Sequence, residues 1–493
     1  KNKNLAHKKV FIFLQEKKML LPSFDSLREK FASIFDKYFV ANLCKVILFS
    51  GVILYLASIF LFIDPNCPTS PYEYSPISSN DTNLSHLIFG LLGSEKAWHY
   101  RKSYIETWWK PKLTRGYLFL DVSPNPNLLP WSKNSPPYRV STNITKLVQE
   151  THHIAPIMAR MVHGIKELID QEHEGVRWVI MGDDDSIFFL ENLVDVLGKY
   201  DHNKYYYFGG QSEYILSNFW YSFNQGFGGA GIIMSFPLAK ALAQDMESCL
   251  RRYPHLNSAD LITMTCIVDL GGSFVPLKGL HQIDLHGDIS GFLSSHPKEP
   301  LISLHHFDAV SPIFPSMDRI QSTKLLMKAA KFDNSRILQQ TICHHRLSNW
   351  TFSVSWGYSI HIYEKIMPRS HLIKPIETFD TWSGRPQNPP FYMFNTRSHV
   401  NDSCETPHIF YLKSIGGAQN KNEIMATYSR SVVRKLQGCS IDGNHPANYV
   451  NKIQVYSPRK KRAEMGRCEC CDIIHTTGSN KAQVKLRECF TNE

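Results

Sequence analysis

The residues best suited to chemistry lie in Val176-Arg177-Trp178-Val179-Ile180-Met181-Gly182-Asp183-Asp184-Asp185, an apolar run that ends in a glycine and three consecutive carboxylates. Adjacent like charges repel, so a fold that gathers them at a strand's end usually provides for a cation there. In open α/β sheets, ligands sit at the carboxyl ends of strands. An Asp-x-Asp pair at such a place, here Asp183 and Asp185, suits a divalent metal held against a nucleotide diphosphate. The plainer alternative is a solvated acidic turn that caps a helix over residues 187–197. Further candidates lie downstream. The loop Gln225-Gly226-Phe227-Gly228-Gly229-Ala230-Gly231 has enough glycine to let backbone approach a ligand, but lacks the Gly-Lys-Ser/Thr ending of a phosphate loop. Asp260 opens an expected helix over 261–270, where it would act as a cap or as a catalytic base. His281 and the pair His305-His306 are candidate metal ligands.

Something must position these groups. Residues 87–92 (LIFGLL), 116–122, the run before the triplet, 205–208 and 231–235 read as strands. Ser94 is placed to cap a helix through Trp109, and Met158, Met161, Val162, Ile165, Leu168 and Ile169 recur at helical spacing. Strands alternating with helices predict an α/β domain over 86–339 with a mostly parallel sheet. Beyond 340 the texture changes to the alternation seen in residues 351–363, which predicts a β-rich region through 493.

The chain has 493 residues, 43% hydrophobic and 20% charged, which fits a folded protein with room for more than one domain. Its net charge of +10 is unevenly placed: residues 1–45 hold ten Lys/Arg against four acids. That argues for a basic cytosolic tail rather than a nucleic-acid partner. Residues 46–63 follow without a charge, long enough to span a bilayer, and the positive-inside rule then puts everything after them in the lumen. The expectation is a single-pass type II protein with a Pro/Ser/Asn-rich stem at 64–85. Sequons at Asn80, Asn83, Asn143, Asn349 and Asn401 all lie beyond the span. So do ten of the eleven cysteines, an even number that suits disulfides in an oxidising compartment; Cys468, Cys470 and Cys471 lack the spacing of a zinc site.

Several stretches make the chain resemble the plant fringe-related proteins, a group similar to Fringe and other β-1,3-glycosyltransferases. They are RKSYIETWWK (101–110), residues 176–210, GFGGAGIIMSFPLAKAL (226–242), SLHHFDAVSPIFP (303–315) and TYSRS (427–431). The resemblance implies a Golgi enzyme with a nucleotide-binding fold of the GT-A kind. It would transfer a sugar, with inversion, from a UDP-sugar to a glycan or glycoprotein hydroxyl. Asp185 would ligate Mn²⁺ together with Asp183, which also faces the donor, and His281 would be the second kind of metal ligand. Asp184, Gly228 and Gly229 would line the donor, and Asp260 would be the catalytic base. The chain departs from the family pattern at Leu261-Ile262, where an acid and an arginine are expected, and at Leu280, where a phenylalanine is expected. The first departure motivates an alternative: a non-catalytic luminal protein that retains nucleotide binding.

Overall fold

The computed structural model describes residues 37–62, 82–171, 174–384, 388–418, 422–437, 439, 446–459, 469–475 and 479–490. The expected cytosolic tail up to residue 36, most of the stem, Asn80, Cys67, Cys468 and Lys460-Lys461-Arg462 lie outside them. The chain divides into two compact units, residues 1–76 and 77–493.

In the first unit a helix runs from Lys37 to Phe62. Val46, Ile47, Leu48, Phe49, Val52, Ile53 and Leu54 are all exposed on it. Successive positions turn by about 100°, so this apolar surface goes all the way round the helix. Among the described residues no helix is long and apolar enough to cross a membrane. The side chains of residues 56–62, the second half of the expected span, lie outside the described set.

The second unit holds two large sheets and two small ones. Its first eleven strands are β1 (Leu87–Leu92), β2 (Arg115–Leu120), β3 (Tyr138–Val140), β4 (Trp178–Asp183), β5 (Ile187–Phe188), β6 (Tyr207–Gly209), β7 (Ile232–Ser235), β8 (Phe274–Pro276), β9 (Leu280–His281), β10 (Leu285–Gly287) and β11 (Ser303–Leu304). Seven of them form one sheet in the order β3-β2-β1-β4-β7-β6-β8. β1 to β4 are parallel, and β7 runs antiparallel to both its neighbours. The continuous apolar runs have a simple cause: both faces of this sheet are covered. Trp178 and Ile180 of β4 enter one core while Val179 and Met181 enter the other. Helices Pro156–Ile169, Phe236–Arg252 and Ala259–Asp269 supply the second core.

One expected helix begins late. Ile187 and Phe188 form β5, fully buried and paired antiparallel to β11, and the helix starts only at Leu190. Pairing with a distant strand outweighs the local helical pattern there. The cap position is Phe189, which makes no side-chain capping bond, so the Asp triplet does not cap this helix.

From Gln340 a second sheet begins, where the sequence texture changes. Its strands are β12 (Gln340–His345), β13 (Trp350–Ser355), β14 (Ser359–Tyr363), then, after the short β15 (Phe379–Thr381), β16 (His408–Gly417), β17 (Glu423–Arg430), β18 (Lys452–Pro458), β19 (Glu469–His475) and β20 (Lys481–Glu488). The order is β12-β13-β14-β16-β17-β18-β20-β19. Trp350, Phe352, Ile360 and Tyr428 from this sheet share one core with Phe89, Trp178 and Leu304. Disulfides join Cys249–Cys266, Cys343–Cys471, Cys404–Cys439 and Cys470–Cys489, so the vicinal cysteines serve cross-links. Asn83, Asn143, Asn349 and Asn401 are exposed.

Candidate metal and donor site

Asp183 closes β4, and Asp184 and Asp185 form the turn that follows. The turn is not solvated, since Asp184 and Asp185 are buried. It is pinned by Ser186, whose Oγ accepts the Asp183 N–H at 2.8 Å and donates to the Gly229 carbonyl at 2.7 Å. The Trp108 indole N–H donates to the Ser186 carbonyl at 2.8 Å. Held this way, the three carboxylates go to different partners. Asp184 takes Arg101 at 2.7 Å and the Ser94 N–H at 3.3 Å. Arg101 also lies 3.4 Å from Asp185 and 2.8 Å from Asp308, and the charges of Asp185 and Asp184 outweigh burial to hold its proton more firmly than usual. Burial pushes Asp184 up to about 7, against the pull of Arg101. Asp184 is therefore a buried anchor for the turn; it was expected to face the donor.

Asp183, Asp185 and His305 offer ligand atoms that all lie within 4.8 Å of one another. His305 Nε2 is 3.1 Å from Asp185 Oδ1 and 3.6 Å from Asp183 Oδ2. Burial works to lower the His305 pKa, but Asp185 and Asp183 prevail and bring it to about 9. Asp185 is held well below the usual carboxylate range, because His305 and Arg101 overcome its burial. Asp183 is raised, chiefly by burial. The protonated imidazole thus carries positive charge where a cation would. Two buried atoms of the cluster, Asp185 Oδ2 and His305 Nδ1, have no hydrogen-bond partner. Unsatisfied buried polar atoms are rare and call for an explanation. A divalent cation fits this donor set of two carboxylates and an imidazole.

The glycine loop closes the other side. Gly228, Gly229 and Ala230 form a single tight turn before Gly231, whose φ of +106° suits glycine. A Cβ on Gly229 would fall 2.0 Å from the His305 ring, so only glycine leaves room for the imidazole. The Gly228 N–H donates to Asp260 Oδ1 at 3.0 Å. Asp260 sits in the first turn of helix Ala259–Asp269, but the cap is Ser258, whose Oγ accepts the Leu261 N–H. Asp260 is thereby free of capping duty. Burial and the charge of Asp183 push it up to about 7, opposed by the Gly228 hydrogen bond. Ile262 is fully buried in the core, and Leu261 is half-buried.

His281 lies elsewhere. Its Nδ1 faces Glu213 at 3.1 Å and its Nε2 faces His296 Nε2 at 3.0 Å. His296 Nδ1 lies 2.8 Å from the Pro297 carbonyl. Burial and His281 lower the His296 pKa to about 3, so that ring is neutral and, donating to the carbonyl, accepts from His281. The row borders a separate cavity of about 800 Å³. The cause is register: β9 and β11 are parallel neighbours with His281 opposite Leu304. His305 comes one residue later and turns to the other face. The histidine that joins the Asp pair is His305.

Residues 217–471, just over half of the chain, match the family described as "Protein of unknown function, DUF604", and residues 82–286 match the family described as Fringe-like. The chain belongs to this fringe-related family. No curated protein matches it. The family points to glycosyltransferase activity in general terms, and the two matches overlap across the glycine loop and Asp260.

In the fringe-related chain, the structure brings together Asp183, Asp185, Gly228, Gly229 and Asp260. It leaves Asp184 to Arg101 and His281 to Glu213. Arg101 and Asp308 were not picked out by residue type, although Arg101 heads the stretch 101–110 and Asp308 lies in 303–315. Their shared carboxylate contacts across 207 residues of chain have no local sequence signal.

Proposed function

We propose that this fringe-related protein is a metal-dependent inverting glycosyltransferase that moves a sugar from a UDP-sugar to a hydroxyl of a glycan or glycoprotein. The carrying observation is the Asp183–Asp185–His305 cluster with its orphaned buried atoms, one glycine away from Asp260. Asp183, Asp185 and His305 would hold the cation, Mn²⁺ in this reading, which when bound supplies positive charge to a diphosphate leaving group. The remaining chemistry belongs to the chain's own residues. Arg101 compensates Asp184 and Asp185, which lowers the cost of collecting three carboxylates at one turn. The Gly228 N–H orients Asp260, and a carboxyl that titrates near 7 is suited to take the proton of an acceptor hydroxyl at neutral pH. Attack from the face opposite the leaving group inverts the anomeric carbon. The apolar helix before residue 63 would anchor the protein in the Golgi membrane as a type II protein, with the second unit luminal; the four exposed sequons and the disulfides support that placement.

The test is Mn²⁺-dependent release of UDP from a panel of UDP-sugars by the purified protein. Turnover with one donor supports the reading, and no turnover with any donor overturns it. A second reading, a nucleotide-binding protein without catalysis, is favoured by the first turn of the Asp260 helix, where Asp260 is the only acid. It predicts Mn²⁺-dependent UDP binding in that same assay without turnover.

A further inference from the structure

The approach to the glycine loop is paved with exposed aromatic rings. Phe219, Trp220, Tyr221 and Phe223 are 69%, 58%, 41% and 44% exposed, four large apolar side chains within five residues. A run of exposed large apolar side chains in one short segment is a candidate binding surface. The backbone beneath is firmly built. Asn218, fully buried, accepts the Ser212 N–H at 3.2 Å and donates to the carbonyls of Ser212 and Tyr214 at 2.9 and 3.1 Å. Gln211 donates to the Phe223 carbonyl at 2.9 Å. The Ile215 N–H reaches the Phe391 carbonyl at 3.1 Å, and the Met393 N–H reaches the Glu213 carbonyl at 3.0 Å. The ledge is therefore buttressed from behind while its rings face outward.

It is also continuous with the site. Tyr221 meets Phe227 edge-on, with ring centroids 6.4 Å apart, and Phe227 is buried directly before Gly228, whose N–H holds Asp260. Between Gln211 and Gly231 the only charged residue is Glu213, itself buried and bonded to the Ile283 N–H. An exposed segment of rings that carries no charge of its own suits a neutral ligand with an apolar face and a polar edge. A pyranose ring is such a ligand: its C–H face lies on an aromatic ring while its hydroxyls stay in water.

We propose that Phe219, Trp220, Tyr221 and Phe223 form the acceptor subsite, and that it takes a neutral pyranose sugar. This rests on the glycosyltransferase reading. The test is saturation-transfer NMR on the full chain in lipid nanodiscs, with neutral methyl pyranosides and disaccharides as probes and no donor present. Wild type should show transfer from the ring C–H protons of at least one probe. The Phe219→Ala/Trp220→Ala variant should bind that probe at least tenfold more weakly, and Trp220→Phe should keep most of the signal. Mn²⁺-dependent UDP binding should be the same in all three. Absence of binding to any neutral probe, equal binding by the double variant, or tighter binding of methyl glucuronide than of the neutral glycosides would overturn the proposal. Failure of the transferase reading shows separately, as loss of the UDP response with glycoside binding intact.

Discussion

Two histidine–carboxylate groups lie at the ends of neighbouring strands, His281 closing β9 and His305 following β11, and they differ in one respect. Around His281 the row Glu213–His281–His296–Pro297 closes on itself, with each imidazole nitrogen matched to a partner. Around His305 the row stays open, with Asp185 Oδ2 and His305 Nδ1 buried and unmatched. Residue types and burial are nearly the same in both. What separates a polar support from a binding site here is the completeness of its hydrogen bonding.

The sharpest way to test this contrast is activity. Asp260, beside the open group, should lose about 10²–10⁴-fold in sugar transfer when changed to Asn, the usual worth of a general base. UDP binding and melting temperature should hold, because Ser258 rather than Asp260 caps the helix. Unchanged transfer in Asp260→Asn would remove Asp260 from the mechanism.

Stability gives the next largest separation. His281→Ala breaks a buried pair and should cost about 3–5 kcal/mol in denaturant melts. Yet its gain on adding Mn²⁺ should equal that of wild type, about 2.7 kcal/mol at a hundredfold excess over Kd. His305→Ala should show no gain at all. If His281→Ala abolished the Mn²⁺ response, the two groups would have to exchange roles.

Gly229→Ala probes the open group through its packing. The new methyl would meet the His305 ring, and such overpacking typically costs about 1–3 kcal/mol. Displacing the ring should weaken Mn²⁺ binding by more than the same change at Gly271, which has open space around it. Equal Mn²⁺ affinity in the two variants would show that the imidazole has room to spare.

The smallest effect is a proton. His305 rises from an ordinary 6.5 to about 9 in the folded protein without metal, so its ion pair with Asp185 stabilises fully below pH 6.5 and is lost as pH rises through 9. At pH 7.5 Mn²⁺ must displace that proton. Calorimetry in buffers of different ionisation enthalpy should report about one proton released per ion, and affinity should increase with pH up to about 9. No buffer dependence would mean that His305 is neutral or stands apart from the ion.

Much of the frame was legible because the strands are buried on both faces and their ends carry unusual residues. The apolar run 178–183 ending in acids located both a strand and a site. The helix caps were partly legible: Ser94 behaves as its type suggests, whereas Asp260 yields the cap to Ser258. Register was not legible. Nothing local says that His281 lies opposite Leu304, and that single step decides which histidine meets Asp185. Ile187 and Phe188 misled for a related reason, since their partner strand lies over a hundred residues away. The buried Asp184 looked equivalent to its neighbours until Arg101 was seen to claim it.

The disulfide Cys249–Cys266 ties helix Phe236–Arg252 to helix Ala259–Asp269, whose first turn carries Asp260. Closing a loop of 17 residues removes about 3 kcal/mol of freedom from the unfolded chain. The acid is thus seated by a covalent event that only an oxidising environment completes. A newly made chain, still reduced, would hold Asp260 through packing and the Gly228 hydrogen bond without the cross-link, and would gain that helix pairing's full stability only after its cysteines have paired.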